Sequence, residues 1–273
     1  DFGFSGTYDL STKYIAGRAL FRKTELAPYF AIMDRPDLHG ILDADLFFKG
    51  RSDDLDAMSA GLDVADIDIQ LMKMKLIKGK GIKASYEDGR LTIPESKLIL
   101  LEEGSMTVRA ATDRNRNLDL TAGGMIPIDI ISAFYPDLTD LTGIARFSLT
   151  GHGPVRNPRL SGTITIDEMG YVIPYNGQVI NDVTAVLSLS PDALIIKDLK
   201  GRLDTGTFTA SGRMGLKDFR PQSIDVSSHG RALPFIMPDS MNALFDMNAR
   251  LTGTPDKTLL SGDTLILEGS YYK

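Results

Sequence analysis

The feature that most constrains this chain is a side-chain period of two, which marks strands whose neighbouring residues face opposite ways. In 243–251 the apolar set Ala243, Phe245, Met247, Ala249 and Leu251 alternates with Leu244, Asp246, Asn248 and Arg250. The same alternation sets Ala145, Phe147 and Leu149 against Arg146, Ser148 and Thr150. It recurs at Phe208, Ala210, Gly212 and Met214, and at Val183, Ala185, Leu187 and Leu189. Turn residues punctuate these runs at Asp88-Gly89, Asn157-Pro158, Asn176-Gly177 and Ser190-Pro191-Asp192, a pattern that predicts antiparallel β structure. Helical spacing is confined to short segments near 25–33, 126–134 and 233–241. In the second of these, Pro127 falls in the first turn and Pro136 lies beyond the end.

A longer period lies over this one. Leu160-Ser161-Gly162 returns as Leu260-Ser261-Gly262, with Ala60-Gly61 one period earlier. Glycines expected at strand ends, Gly50, Gly151 and Gly253, are 101 and 102 positions apart, and Gly6-Thr7, Gly104-Ser105 and Gly206-Thr207 are each expected to open a strand. The hairpin at Tyr86–Leu91 is answered at Leu189–Leu194. Repeats of about a hundred residues follow: the end of one at 1–37, full repeats at 38–140 and 141–241, and the start of another at 242–273. Repeat arrays normally end in capping units, and neither end carries one, so the expectation is a shaft segment from a longer protein.

Composition excludes several classes. Without cysteine there is neither a disulfide framework nor a thiolate metal site. A net charge of −6 argues against nucleic acid as a partner. No run approaches the ~18 apolar residues of a membrane-spanning helix.

The search for chemistry returns little. Asp1-Phe2-Gly3 copies a kinase triplet without its companion motifs, and Gly79-Lys80-Gly81-Ile82-Lys83-Ala84 leads into a hairpin where a dinucleotide site needs a helix. Asp113, Asn115, Asn117 and Asp119 begin like a calcium loop, but Leu118 and Gly124 occupy its glycine and glutamate places, so a solvated turn is expected. Asp63, Asp66 and Asp68 read as the outer face of a strand. His39, His152 and His229 lie far apart in glycine-flanked turns, which opposes a shared metal site. Lys73, Lys75, Lys78, Lys80 and Lys83 form the one marked basic patch, either a wet or edge-protecting face or a contact for anionic head groups. No catalytic constellation, metal site or cofactor site emerges, so an enzyme is not expected.

Strands with a consistently apolar face must bury it, either inside a closed sandwich or barrel, or along an open curled sheet whose greasy side forms a groove. Periodicity alone leaves both open. The run Leu149–Ile166, with Leu149-Thr150-Gly151-His152-Gly153 and Arg159-Leu160-Ser161-Gly162, resembles the recurrent element of the TamB family within the wider AsmA-like group. So do Ile180–Leu187, Leu194–Leu199 and Gly206–Gly212, in the family's order. The resemblance is best over 141–272 and looser over 1–140, where 62–83 departs from the pattern.

The resemblance implies a mainly β fold: an elongated antiparallel β-taco with an apolar groove and short helices at its edge. It implies a mid-chain shaft in the periplasm of a Gram-negative bacterium, in a protein anchored in the inner membrane and devoted to outer-membrane biogenesis. The function implied is phospholipid transport between inner and outer membrane. The alternatives are assembly of outer-membrane proteins with a TamA- or BamA-type barrel, and an inert structural shaft. The residues expected to line the groove are Ala145, Phe147, Leu149, Ile164, Ile166, Leu187, Phe208, Phe245, Met247 and Leu251.

Overall fold

The structure, a computed structural model, describes residues 1–71, 74–133 and 138–272. Among these residues sixteen strands form one antiparallel sheet in which spatial order follows chain order. The sheet is not closed into a barrel, in keeping with the curled, taco-like sheet expected from the sequence. The chain packs as two compact units, 1–126 with 149–159, and 127–148 with 160–273.

The first unit holds β1 (Phe2–Asp9), β2 (Tyr14–Glu25), β3 (Leu38–Arg51), β4 (Ser59–Leu71), β5 (Met74–Glu87), β6 (Arg90–Leu100), β7 (Gly104–Thr112) and nearly all of β8 (Asn117–Pro127). An α-helix, α1 (Ala27–Ile32), starts with proline in its first turn. β9 (Thr142–Pro154) divides between the units. The second unit holds β10 (Arg159–Val172), β11 (Val179–Ser190), β12 (Ala193–Leu203), β13 (Gly206–Lys217), β14 (Arg220–Met237), β15 (Met241–Thr254) and β16 (Lys257–Tyr271).

Local chemistry explains the hairpins. Asp88 and Gly89 both take positive φ, 50° and 72°, as a tight turn whose twist matches its strands requires. Ser190 and Asp192 close the β11–β12 turn by a hydroxyl to carboxylate hydrogen bond of 2.8 Å. Gly50 lies one residue before the end of β3 at φ 141°, where a Cβ would sit 2.6 Å from the Ala57 carbonyl oxygen. Gly253 stands at the corresponding place in β15 at φ 130°, with the Lys257 carbonyl where its Cβ would go. Gly50 and Gly253 thus mark places where the following stretch of chain comes too close for a side chain.

Three expectations change. The segment 233–241 is not helical: Leu233, Phe235 and Met237 continue β14 and pair with Phe245, Ala243 and Met241, because cross-strand burial of alternate residues outweighs a weak helical spacing. Gly104 and Gly206 open β7 and β13, whereas Gly6 lies inside β1. The short helix expected at 126–134 is a 3-10 helix over Ile128–Ala133, with Phe134 outside the described residues. Lys73 also lies outside them.

Candidate functional site

Residues directly opposite in an antiparallel ladder project to the same side of the sheet, so register alone assigns the faces. In the second unit Ile164 stands opposite Leu187, and the row continues through Ile196, Gly212, Val226 and Leu251 to Leu260. A neighbouring row runs Gly201, Phe208, Gly230 and Met247. Phe245 stands opposite Leu233 and Ile266, and Ile166 opposite Ala185. Ile164, Ile166, Leu187, Phe208, Phe245, Met247 and Leu251 therefore share one face. Ala145, Phe147 and Leu149 alternate along β9, with Leu149 in the first unit and the other two in the second. All ten are half-buried.

Large and small residues alternate along these rows, and the fit is close. A Cβ at Gly201 would lie 2.8 Å from Cζ of Phe208, so the far edge of the Phe208 ring occupies the space over that glycine. The first unit repeats the arrangement. Phe4, Ala19, Leu46, Leu62 and Ala84 form one row across β1–β5, and Gly6, Gly17, Phe48, Ala60, Tyr86 and Leu91 form the next.

The other face of each unit carries ion pairs between adjacent strands. Arg250 forks onto Asp225 with two bonds of 2.8 Å, and Arg213 meets Asp192 at 2.8 Å. Arg146 pairs with Asp167, and Arg18 with Asp45. Arg22 meets Asp43 at 2.9 Å, Lys83 meets Asp63 at 3.2 Å and Lys80 meets Asp66 at 3.5 Å. The Arg250 hydrogen bond holds the Asp225 carboxyl below the usual carboxylate range, and the Arg18 hydrogen bond does the same for Asp45. Solvent screens such exposed pairs strongly, so they define a wet face more than they stabilise it.

Lys75, Lys78, Lys80 and Lys83 of the lysine patch belong to this wet side. Lys75 pairs with Glu102 at 2.6 Å, and Lys78 stands opposite Asp68. β5 lies between β4 and β6, so the patch is not at a sheet edge. Asp113 accepts both the backbone and the side-chain N–H of Asn117, at 2.8 and 2.9 Å, closing the β7–β8 turn. His152 faces Asp119 at 3.5 Å and His229 faces Asn248 at 2.7 Å. Among the described residues no group of three or more His, Asp or Glu side chains could hold a metal ion.

Sequence reasoning missed two things. The first is a set of bulges that insert one residue and reverse the alternation. In β4 the apolar set is Ala60, Leu62 and Val64 before Ala65, then Ile67, Ile69 and Leu71 after it. In β14 it is Val226 and Ile224 before the bulge at Ala232, then Leu233, Phe235 and Met237. Lys23, Glu168, Asp182 and Ala232 take positive φ at such bulges, and no residue type announces them.

The second is an amide clasp in the second unit. β13 begins at Gly206, so the stretch of β14 after Ala232 has lost its neighbour on that side. Gln178, only 4% exposed, fills the place: its Nε2 donates to the Pro234 carbonyl at 2.7 Å and to Asp204 at 3.0 Å. Its Oε1 accepts from the Asn176 side chain at 2.6 Å and from the Ile236 N–H at 3.4 Å, and Asn176 donates to the Ile236 carbonyl at 3.0 Å. Two side-chain amides thus continue the ladder, joining the start of β11 to β14 across the end of the β12–β13 hairpin.

These features define a class: an open antiparallel sheet protein with one apolar and one ion-paired face. Residues 197–273, from the middle of β12 onward, match the family model described as the TamB C-terminal domain, which supports membership of the TamB family. The matched model is a C-terminal domain, whereas the sequence reading placed the chain mid-protein. No curated protein and no solved structure matches the chain significantly.

Proposed function

We propose that this chain carries phospholipid along its apolar face, as part of an envelope protein bridging the inner and outer membranes of a Gram-negative bacterium. The observation that carries the reading is the apolar rows: they run through every strand from β10 to β16 in one register, with charges confined to the other side. Each acyl methylene moved from water onto such a surface gains about 0.8 kcal/mol, while the head group stays wet. The face offers no polar anchor among Ile164, Leu187, Phe208, Met247 and Leu251, so a lipid on it can slide.

The test is photo-crosslinking in cells carrying the full-length protein. A benzoyl-phenylalanine at Phe208 or Phe245 is expected to trap phospholipid, and one at Thr209, on the opposite face, is not. Equal trapping at Phe208 and Thr209, or none at Phe208 and Phe245, would sink the reading. Phe147→Asp and Phe245→Asp are expected to stop lipid transfer to the outer membrane while the β-rich circular dichroism spectrum is retained.

A second reading has its own observation. β16 is last in the sheet order and exposed throughout, with Leu260 and Ile266 on the apolar face and Leu259 and Leu265 on the other. Such an edge accepts a client strand by main-chain pairing, the step an outer-membrane barrel assembly factor needs with a TamA- or BamA-type partner. Prolines at Leu259 and Leu265, which lie off the apolar face, abolish client assembly under this reading and leave phospholipid crosslinking at Phe208 in place under the first.

A further inference from the structure

At one end of the first unit, four turns converge on a cavity of about 690 Å³. Leu55 comes from the 3-10 turn between β3 and β4, Tyr86 and Leu91 from the β5–β6 hairpin, Arg116 from the β7–β8 turn, and Val155 and Arg156 from the turn after β9. The turns are tied together. The Val155 N–H donates to the Arg116 carbonyl at 3.0 Å, and the Leu91 N–H donates to the Thr112 hydroxyl at 2.8 Å. The walls are apolar, yet Leu55 and Val155 remain 58% and 49% exposed. The cations are weakly satisfied: Arg116 has Asp56 only at 3.9 Å, and Arg156 has no carboxylate within ion-pair distance among the described residues.

We propose that this hairpin-tip cavity holds one acyl chain of an anionic phospholipid, with the phosphate set between Arg116 and Arg156. The volume falls within the ~300–1,000 Å³ of small-molecule sites, and an apolar lining that also includes two arginines is complementary to a greasy tail with a negative head. Guanidinium forks suit phosphate oxygens better than a point charge would. Tyr86 and Leu91 also end the apolar row through Gly17, Phe48 and Ala60, so the chain that fills the cavity touches that unit's apolar face. The cavity thereby supplies the polar anchor that the rest of the face lacks, a place where a lipid pauses. The choice of occupant rests on the lipid-carrying reading; the location does not.

The experiment uses the purified chain with three probes carrying a diazirine in the acyl chain: phosphatidylglycerol, phosphatidylcholine and palmitate. Crosslinked peptides are mapped by mass spectrometry. Phosphatidylglycerol is expected to label the segments holding Leu55 and Val155, about fivefold more than phosphatidylcholine. The double variant Arg116→Gln with Arg156→Gln is expected to erase that preference while retaining the wild-type circular dichroism spectrum. Val155→Asp, at an exposed turn, is expected to remove the labelling there. Labelling at the Phe208 and Met247 segments without any at Leu55 and Val155 would overturn the cavity and leave the carrying face standing. Labelling at the cavity without any at Phe208 supports the cavity and removes the carrying face. Palmitate displacing phosphatidylglycerol, or equal labelling by both phospholipids in the wild type, overturns the assignment of an anionic phospholipid.

Discussion

Gln178 is a polar side chain in a region otherwise built from apolar rows, and its value lies in what its removal leaves behind. Gln178→Ala exposes no new charge but strands the Pro234 carbonyl and one oxygen of Asp204 without their amide donor. Leaving buried polar groups unpaired costs about 1–3 kcal/mol, which is the expected drop in urea unfolding free energy. Gln178→Glu should be at least as harmful, because a carboxylate cannot donate to the Pro234 carbonyl. Charge acts differently at Asp53, whose carboxyl is held down at about 2, first by the hydrogen bond from Arg51 and then by that from Lys13. In an unfolded chain an aspartate titrates near about 3.9, so the stabilisation from Asp53 is complete above roughly pH 4 and is lost as pH falls through about 2. Asp53→Asn is expected to flatten the fall of the thermal midpoint across that window.

At the scale of the strand, the bulges decide which residues reach the apolar face. The β14 bulge places Ala232 at φ 47°, with its N–H donated to Asp246 at 2.8 Å. A branched side chain fits that conformation poorly, so Ala232→Val is expected to lose about 1–3 kcal/mol in denaturant unfolding. Ala232→Gly should gain up to about 1 kcal/mol, since glycine enters the left-handed region without strain. Strand identity was legible from local alternation at β13 and β15, and the β5–β6 hairpin from Asp88-Gly89, because both depend on residues within a few positions. The bulges were not legible: Ala65 and Ala232 look like ordinary strand residues, and the extra residue is defined only against the partner strand. The helix expected at 233–241 failed for a related reason. After the bulge, Leu233, Phe235 and Met237 alternate in the opposite phase to Ile224 and Val226, and only the pairing with β15 reveals it.

At the scale of the whole molecule the apolar fraction is spread over two units instead of being gathered into one closed core. Its burial is shallow: the groove candidates from Ala145 to Leu251 are half-buried, and only residues such as Ala44, Val183, Ala185, Ala193 and Leu233 fall to 5% exposure or less. Protection from solvent should follow the sheet order. Amides of β16, exposed along its whole length at the end of that order, are expected to exchange hydrogen first, and those of β12 and β13, paired on both sides, much later. Uniform protection from β12 to β16 would show that something further covers that edge.

The sequence by itself determined that the chain is antiparallel β, where its hairpins turn and that its strands keep one greasy side, because φ/ψ preferences and two-residue alternation are local. Its resemblance to the TamB family also rests on short local runs such as Leu160-Ser161-Gly162. Tertiary structure alone decided which residues share a face across the seven strands β10 to β16, how Gln178 replaces a missing strand beside Pro234, and that Leu55, Leu91, Arg116 and Val155 meet at one cavity. Those are matters of register and closure between residues tens of positions apart, and a single inserted residue in one strand changes them while leaving the local pattern on either side intact.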